Sequence, residues 1–169
     1  GADFKKGFAA VSPHAKYVLT LDADLNHHPE EIPSFIKEIE ERNADLVVGS
    51  RVIKGGKTIN IPLWKRMVSK LANIVFKIIT NIPIEDKTSG YRIYKREVIQ
   101  DLAKEFQSRN FEFLMEILLI AAKKKYIMSE IPITFIYRIH GKSKMNLLKT
   151  IRGYAKLLTY SLLGRYSLK

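Results

Sequence analysis

The sequence contains no cysteine, only one tryptophan and no uninterrupted apolar run long enough to cross a membrane. Without cysteine, disulfide bonds and thiolate metal sites are excluded. Without an apolar run of roughly 18 residues, no transmembrane helix is predicted within the chain. The first residues are not followed by the apolar segment of a secretory signal. A helical pattern starts there at once, so we expect the chain to begin inside a larger fold.

Positive charge dominates the 169 residues, and it is unevenly distributed. The net charge is +12, but residues 1–50 carry five basic and nine acidic side chains, whereas residues 51–169 carry 24 and eight. The basic part favours partners that bear phosphate groups or an anionic membrane surface. The basic residues are not interleaved with exposed aromatic residues and form no known nucleic-acid motif, so we predict no nucleic-acid partner.

The stretch that contains Asp22 and Asp24 is the one around which we expect the fold to be organised. Residues 16–22 form an apolar, β-branched run that is typical of a buried strand in an α/β sheet. Asp22 and Asp24 follow at its carboxyl end, where open α/β sheets bind their ligands. Such a pair suits Mg²⁺ or Mn²⁺ held partly by a substrate's phosphates, but it equally suits two caps on the following helix. The pattern alone leaves both interpretations open.

Hydrophobic periodicity predicts alternating helices and strands in one full-sized domain. The predicted helices cover residues 3–11, 29–43, 62–80, 95–104, 111–123 and 147–164, and the predicted strands cover 16–22, 45–50 and parts of 86–94 and 125–138. Residues 16–50 form a strand–helix–strand unit, for which a parallel, right-handed crossover is expected.

Two helices leave an alternative open. The helix over residues 62–80 has an apolar stripe that faces either the core or a membrane surface, opposite a basic and polar side. The stripe comprises Trp64, Met67, Val68, Leu71, Ile74, Val75, Ile78 and Ile79. In the apolar helix 111–123, Glu112 and Glu116 are either an acid/base pair or a solvated edge, and the solvated edge is the favoured interpretation.

Five short motifs occur in a specific order along the chain. They are Asp22-Ala23-Asp24 with residues 25–30, Gly49-Ser50-Arg51, Gly55-Gly56 with Trp64 and Arg66, residues 88–92, and residues 130–133 with Phe135, Arg138, Gly141, Ser143 and Lys144. This series resembles the polyprenyl-phosphate sugar synthases of glycosyltransferase family 2, and most of all the dolichol-phosphate mannose synthases. The resemblance covers residues 1 to about 144.

The resemblance implies an α/β, Rossmann-like GT-A glycosyltransferase domain in residues 1–146 that is incomplete at its amino terminus. An amphipathic segment, residues 147–169, follows and is expected to lie at a membrane interface or to pack on the core. The implied activity is inverting transfer of a hexose, with mannose favoured over glucose, from GDP-mannose or UDP-glucose to dolichyl or polyprenyl phosphate. The implied location is peripheral, on the cytoplasmic face of a membrane. Because the family's first nucleotide-binding units have no counterpart here, the alternative is a non-catalytic fragment or a partner-dependent subunit that binds membrane surfaces.

The resemblance also implies roles for individual residues. Asp22, Asp24 and Asn26 match the metal-binding motif for Mg²⁺ or Mn²⁺, although Asn26 is one methylene shorter than the glutamine common in the family, so a bridging water is expected. Predicted catalytic residues are Arg51, Arg66, Asp86 and Arg138. Predicted substrate-binding residues are Arg51, Arg66, Ser69, Ser89, Arg92, Arg138, Ser143 and Lys144. Asp86 faces the sugar, orients the acceptor or caps a turn.

The implied chemistry needs no strong general base. A lipid phosphate has a second pKa of about 6, so at neutral pH it is already largely a dianion. The difficulty is the approach of two phosphates and the charge that the leaving diphosphate gains. A divalent ion and arginines are the expected means of stabilising that charge.

Overall fold

The computed structural model describes residues 2–22, 26–80, 82–108, 110–137, 147–164 and 166. The helices are α1 (Ala2–Ala9), α2 (Ile32–Glu41), α3 (Leu63–Thr80), α4 (Arg96–Glu105), α5 (Phe113–Lys123) and α6 (Leu147–Leu162). The strands are β1 (Tyr17–Thr20), β2 (Leu46–Ser50), β3 (Lys57–Ile59), β4 (Arg92–Lys95), β5 (Met128–Pro132) and β6 (Thr134–Ile136). A 3-10 turn, Pro29–Glu31, leads into α2.

The main sheet has four strands in the order β1-β4-β2-β5. Strand β4 is antiparallel to both β1 and β2, and β5 is parallel to β2. Strands β1 and β2 therefore run in the same direction, as expected for the unit of residues 16–50, but β4 lies between them. As a result, the carboxyl ends of β1, β2 and β5 meet the amino end of β4 at one edge of the sheet.

Side chains of the sheet pack into two hydrophobic clusters. In β2, Leu46 and Val48 belong to the larger cluster, which includes α4 and α5, and Val47 belongs to the smaller cluster with Phe35 and Ile39 of α2. This alternation is the period of two that a strand imposes. All five residues of β2 are buried, so this strand is covered on both faces.

Helix α5 confirms one prediction and corrects another. All its residues from Phe113 to Ala121 are buried, as the apolar pattern predicts. The predicted solvated edge is wrong, because Glu112 and Glu116 are also buried. The Glu116 carboxylate accepts the backbone N–H of Ser108 at 2.8 Å and the hydroxyl of Tyr166 at 2.7 Å. The loop before α5 and the end of the chain therefore cover this helix.

Helix α3 faces the protein with a mixed side of polar and apolar residues. Its buried residues are Asn73, Phe76 and Thr80, whereas much of the predicted apolar stripe is exposed. The exposed apolar residues are Leu63 (76%), Trp64 (49%), Met67 (70%), Leu71 (63%), Ile74 (45%) and Ile78 (78%). The stripe as a whole therefore does not face the core, and only its members Val68, Val75 and Ile79 are partly buried.

The extended run predicted over residues 125–138 forms two strands in different sheets. Strand β5 belongs to the main sheet, and β6 pairs in parallel with β3 in a separate two-stranded sheet. The partner strand β3 begins at Lys57, where the sequence pattern predicts no strand. Gly55 precedes it with φ of +95°, a conformation that glycine adopts without strain.

Helix α6 packs against the rest of the protein. Leu157 and the following Tyr166 are buried in the larger cluster, and the Tyr154 ring lies 5.7 Å from that of Phe76 in α3. Ile151 and Leu162, two members of its predicted apolar face, are exposed. The division of the chain at residue 146 stays a prediction. Within the described ranges, no helix has both the length and the hydropathy to cross a membrane.

Candidate active site at the strand ends

The edge where β1, β2 and β5 end brings predicted site residues together. Asp22 follows β1, Arg51 follows β2, and the loop of residues 84–91 leads into β4 at the same edge. The loop is fixed to β1 because the Thr20 hydroxyl donates to the Gly90 carbonyl at 2.8 Å. A Cβ on Gly90 would lie 3.5 Å from Asp22 Oδ1, so the loop passes directly beside this carboxylate.

Asp22 is the part of the predicted metal motif that the structure places at this edge. Its side chain is half exposed, at 49%, and its carboxylate oxygens are the hard ligands that Mg²⁺ and Mn²⁺ prefer. Asp24 lies outside the described residues. Asn26 is buried, and its carbonyl accepts the Ile136 N–H at 3.0 Å. No group of three or more potential His, Cys, Asp or Glu ligands occurs in the described part of the chain, so the metal site stays a prediction.

His27 supports the backbone next to Asp22. Its Nδ1 accepts the Asp22 N–H at 3.2 Å and lies 4.0 Å from Asp22 Oδ2. Its ring packs between Tyr91, at 4.8 Å between centroids, and Phe135, at 5.3 Å. The buried imidazole therefore holds the start of the Asp22 loop against the smaller sheet.

Arg51 and Asp86 form a buried ion pair. Arg51 Nε donates to Asp86 Oδ2 and Nη2 donates to Oδ1, both at 2.7 Å, and the Arg51 backbone N–H also reaches Oδ2 at 3.0 Å. The Asp86 side chain is fully buried and that of Arg51 is 14% exposed. Burial alone raises the pKa of Asp86, but the Arg51 charge and hydrogen bonds outweigh it and lower the pKa to about 2. The pair is therefore charged at neutral pH.

The guanidinium of Arg51 is held in a fixed direction. Besides Asp86, Nη2 donates to the Thr88 hydroxyl at 2.7 Å, and the Phe135 ring centroid lies 5.5 Å from Cζ. Nη1 makes no hydrogen bond to the described residues. Asp86 thus orients Arg51 and leaves one of its nitrogens for another partner. A carboxylate that orients an arginine differs from the predicted roles of Asp86, which are contact with a sugar, orientation of the acceptor and capping of a turn.

Arg92 and Ser89, both predicted to bind substrate, lie inside the fold. Arg92 is fully buried and donates to three carbonyls, those of Ser89 at 2.8 Å, Leu114 at 2.7 Å and Lys87 at 2.9 Å. Ser89 is 1% exposed. This geometry corrects the expected role of Arg92, because its guanidinium is used to tie the loop to α5.

The remaining predicted residues fall into two groups. Arg66 is exposed near the start of α3, and Ser69 lies one turn further along, with its hydroxyl 2.8 Å from that of Thr88. Ser69 therefore reaches the Arg51–Asp86 pair through Thr88. Arg138, Ser143 and Lys144 lie outside the described residues, and their predicted roles are untested.

Two residues outside the predicted set of site residues support the site. Glu130 accepts the backbone N–H groups of Glu85 and Asp86, both at 2.8 Å. Asn73 Oδ1 accepts the Lys87 N–H at 3.0 Å. Ser69, Asn73, Phe76 and Thr80 follow one helical face without a charge, which is the sequence signal that points to Asn73.

Comparison with known proteins identifies relatives of this chain. The family model described as glycosyl transferase family 2 matches residues 1–103. The chain is 33% identical over 168 residues to a polyprenol monophosphomannose synthase of Mycolicibacterium smegmatis, covering 98% of this chain and 63% of that protein. It is 32% identical over 130 residues to an undecaprenyl-phosphate mannosyltransferase of Micrococcus luteus, covering 76% of this chain and 53% of that protein. The chain thus spans less than two thirds of the length of either relative.

Solved structures match the fold. Glucosyl-3-phosphoglycerate synthase from Mycobacterium tuberculosis, crystallised with phosphoglyceric acid, superposes with a TM-score of 0.65 at 16% identity, covering 98% of this chain and 54% of that one. The same enzyme with Mn²⁺, UDP and phosphoglyceric acid gives a TM-score of 0.64 at 16% identity, covering 98% and 53%. At this identity the likeness concerns the fold alone, and it confirms the predicted GT-A-like architecture.

Proposed function

This chain belongs to glycosyltransferase family 2, and from that premise we propose that it transfers a hexose, with mannose favoured over glucose, from a nucleotide sugar to a polyprenyl phosphate such as dolichyl phosphate. The observation that carries the proposal is the placement of Asp22 and Arg51 at one sheet edge, joined by the loop of residues 84–91. The names of the two mannosyltransferase relatives support the choice of substrates.

The acceptor chemistry suits this site because it needs charge stabilisation more than proton removal. A phosphate monoester is largely dianionic at neutral pH, so it can attack the anomeric carbon without a strong base. Arg51 offers a guanidinium whose direction is fixed by Asp86, with Nη1 left to meet a phosphate oxygen. The exposed Arg66 adds a second cation near the start of α3. Arg66 fits the preference of arginine for bidentate phosphate contacts, whereas Arg51 offers Nη1 alone.

A divalent cation is part of the proposal. Asp22 would hold Mg²⁺ or Mn²⁺ together with Asp24 and, directly or through a water, Asn26. The half-exposed carboxylate of Asp22 and its hard oxygens fit such an ion. When bound, the ion would stabilise the charge that develops on the leaving diphosphate. GDP-mannose is the favoured donor and UDP-glucose the second candidate.

The exposed apolar face of α3 favours contact with a lipid membrane. Its six exposed apolar side chains, Leu63, Trp64, Met67, Leu71, Ile74 and Ile78, form a face that is unusual on a protein surface. Exposed Arg66 and Lys70 lie on the same helix, and basic residues beside an apolar helix face are attracted to anionic lipid headgroups. The proposed location is therefore the surface of an anionic leaflet, which is the cytoplasmic one in most cell membranes.

A transfer assay tests the catalytic proposal. The chain is incubated with radiolabelled GDP-mannose, polyprenyl phosphate in vesicles and Mn²⁺, and solvent-extractable label is counted. Labelled lipid is expected with the wild-type chain and with Glu30→Gln, which removes an exposed carboxylate outside the metal motif. Asp22→Asn should lower the yield by about 100-fold or more, because the cation that would stabilise the leaving diphosphate loses a charged ligand. Absence of labelled lipid from the wild-type chain, while the M. smegmatis relative is active in parallel, contradicts the proposal.

The same vesicles test the second candidate, a membrane-binding subunit without activity of its own. The observation that favours it is the exposed face of α3. Trp64 is the only tryptophan and lies in this face, so its fluorescence reports docking directly. A blue shift with anionic vesicles, but without labelled lipid product, favours the subunit over the enzyme. No shift argues against membrane docking by α3.

A further inference from the structure

Helix α3 contacts the loop of the candidate active site through polar residues spaced one turn apart. Ser69 shares a hydrogen bond with Thr88 at 2.8 Å, and Asn73 accepts the Lys87 N–H at 3.0 Å. One turn further, Lys77 pairs with Glu85 at 2.6 Å. Positions i, i+4 and i+8 of one helix thus meet successive parts of the loop, since residues four apart share a helix face.

The Ser69 contact leads directly to Arg51. The Thr88 hydroxyl touches Ser69 on one side and, at 2.7 Å, Arg51 Nη2 on the other. Thr88 also donates to Asp86 Oδ1 at 3.1 Å, so it closes a ring with the ion pair. Asn73 is 8% exposed and holds the backbone of the residue between Asp86 and Thr88. The direction of the Arg51 guanidinium therefore depends on groups that α3 supplies.

The exposed apolar face lies on the opposite side of the same helix. Met67, Leu71, Ile74 and Ile78 lie about 100–180° around the helix axis from Ser69 and Asn73, at 3.6 residues per turn. Within the helix, the face proposed to dock on lipid and the face that holds the loop are thus parts of one rigid element.

We infer that Ser69 and Asn73 are positioning residues, which fix Arg51 through Thr88 and the loop backbone, so that docking of α3 on a membrane also orders Arg51. The lipid-dependent part rests on the proposed function, and the positioning part does not. Ser69 would thus act through Thr88, in addition to any contact of its own with a substrate.

The Arg51 Nε–H signal in an NMR spectrum of the arginine-labelled chain tests this inference. The signal is assigned by its loss in Arg51→Lys, and its exchange rate with water is measured. Ser69→Ala should speed this exchange by about five-fold, the effect of losing one ordinary hydrogen bond. Ser69→Thr, which keeps the hydroxyl, should restore the slow rate. The exposed Ser34 of α2 provides a control, since Ser34→Ala should leave the rate unchanged.

A double variant shows whether Ser69 acts through Thr88. In a Thr88→Val background, Ser69→Ala should add little to the exchange rate, because residues that act through one contact are not additive. Full additivity overturns the positioning role. Asn73→Ala gives a second measurement, since it should speed exchange of the Lys87 amide.

Vesicles of phosphatidylcholine and phosphatidylglycerol test the lipid-dependent part. Docking, seen as a Trp64 blue shift, should slow Arg51 Nε–H exchange in the wild-type chain and in Ser69→Thr, but not in Ser69→Ala. A Trp64 shift with unchanged Arg51 exchange overturns the coupling. If the Trp64 fluorescence emission does not shift, the result counts against membrane docking. The comparison of Ser69→Ala with Ser69→Thr without lipid still decides the positioning role.

Discussion

Replacement of Asp86 by asparagine should cost far more stability than its small change in shape suggests. The carboxylate accepts the Arg51 backbone N–H, Nε–H and Nη2–H and the Thr88 hydroxyl, all inside the protein. Asp86→Asn removes the charge but leaves the Arg51 side chain only 14% exposed. Removing one member of a buried pair typically costs about 3–5 kcal/mol, because the remaining charge stays uncompensated. A loss of about that size is expected here.

Urea unfolding of the 169-residue chain at neutral pH measures this loss as the free energy of unfolding. The control is Glu40→Gln, which breaks the exposed pair between Lys16 and Glu40 at 2.8 Å and should change stability little. Replacing both Arg51 by methionine and Asp86 by leucine should cost less than Asp86→Asn alone, since no buried charge is left unpaired. Equal stability losses in Asp86→Asn and Glu40→Gln would refute the reasoning.

The pH dependence of stability gives an independent measurement of the same pair. The Asp86 pKa falls from its ordinary 3.8 to about 2 in the folded chain, so its stabilising contribution is present above about pH 4. That contribution is lost as the pH falls towards about 2, and the shift of nearly two units corresponds to about 2 kcal/mol. The difference in unfolding free energy between the wild-type chain and Asp86→Asn should therefore shrink by about that amount over this window. A difference that stays constant contradicts the low pKa.

Two further variants test the packing around the site. Gly49→Ala should lower the urea midpoint, at a cost of about 1–3 kcal/mol, because its Cβ would lie 2.7 Å from Phe35 and 2.8 Å from Ile133. The control is Gly7→Ala in α1, whose Cβ would meet nothing within 4 Å. This control variant should be neutral or stabilising. Arg92→Met should cost about 3 kcal/mol or more in the same assay, since three carbonyls lose their buried donor. A neutral Gly49→Ala or Arg92→Met contradicts the corresponding contacts.

The positions of most helices and strands could be predicted because they depend on local periodicity. Strand β2 and helix α5 lie almost where their apolar runs place them. Pro62 just before α3 and Pro29 at the turn before α2 mark the helix starts. The place of Asp22 at the end of a strand follows from the same pattern.

The partners of the site residues could not be predicted in this way. Arg51 and Asp86 are 35 positions apart, and nothing in either local sequence indicates that they pair. Arg92 was matched to a substrate-binding motif by its sequence context, whereas its burial depends on Leu114 of α5 passing beside it. Glu130 was part of a recognised motif, but its contacts with the loop depend on β5 lying next to β2.

The family, the order of most helices and strands and the carboxylate at the end of β1 follow from the sequence alone, because each of these is encoded in short motifs or local periodicity. Tertiary packing places β4 between β1 and β2 and pairs Arg51 with Asp86. It also decided which side of α3 is buried. An amphipathic pattern shows that a helix has two faces, but the neighbouring elements determine which face they cover. In this chain they cover the side that carries Ser69, Asn73 and Phe76 and leave most of the apolar stripe exposed.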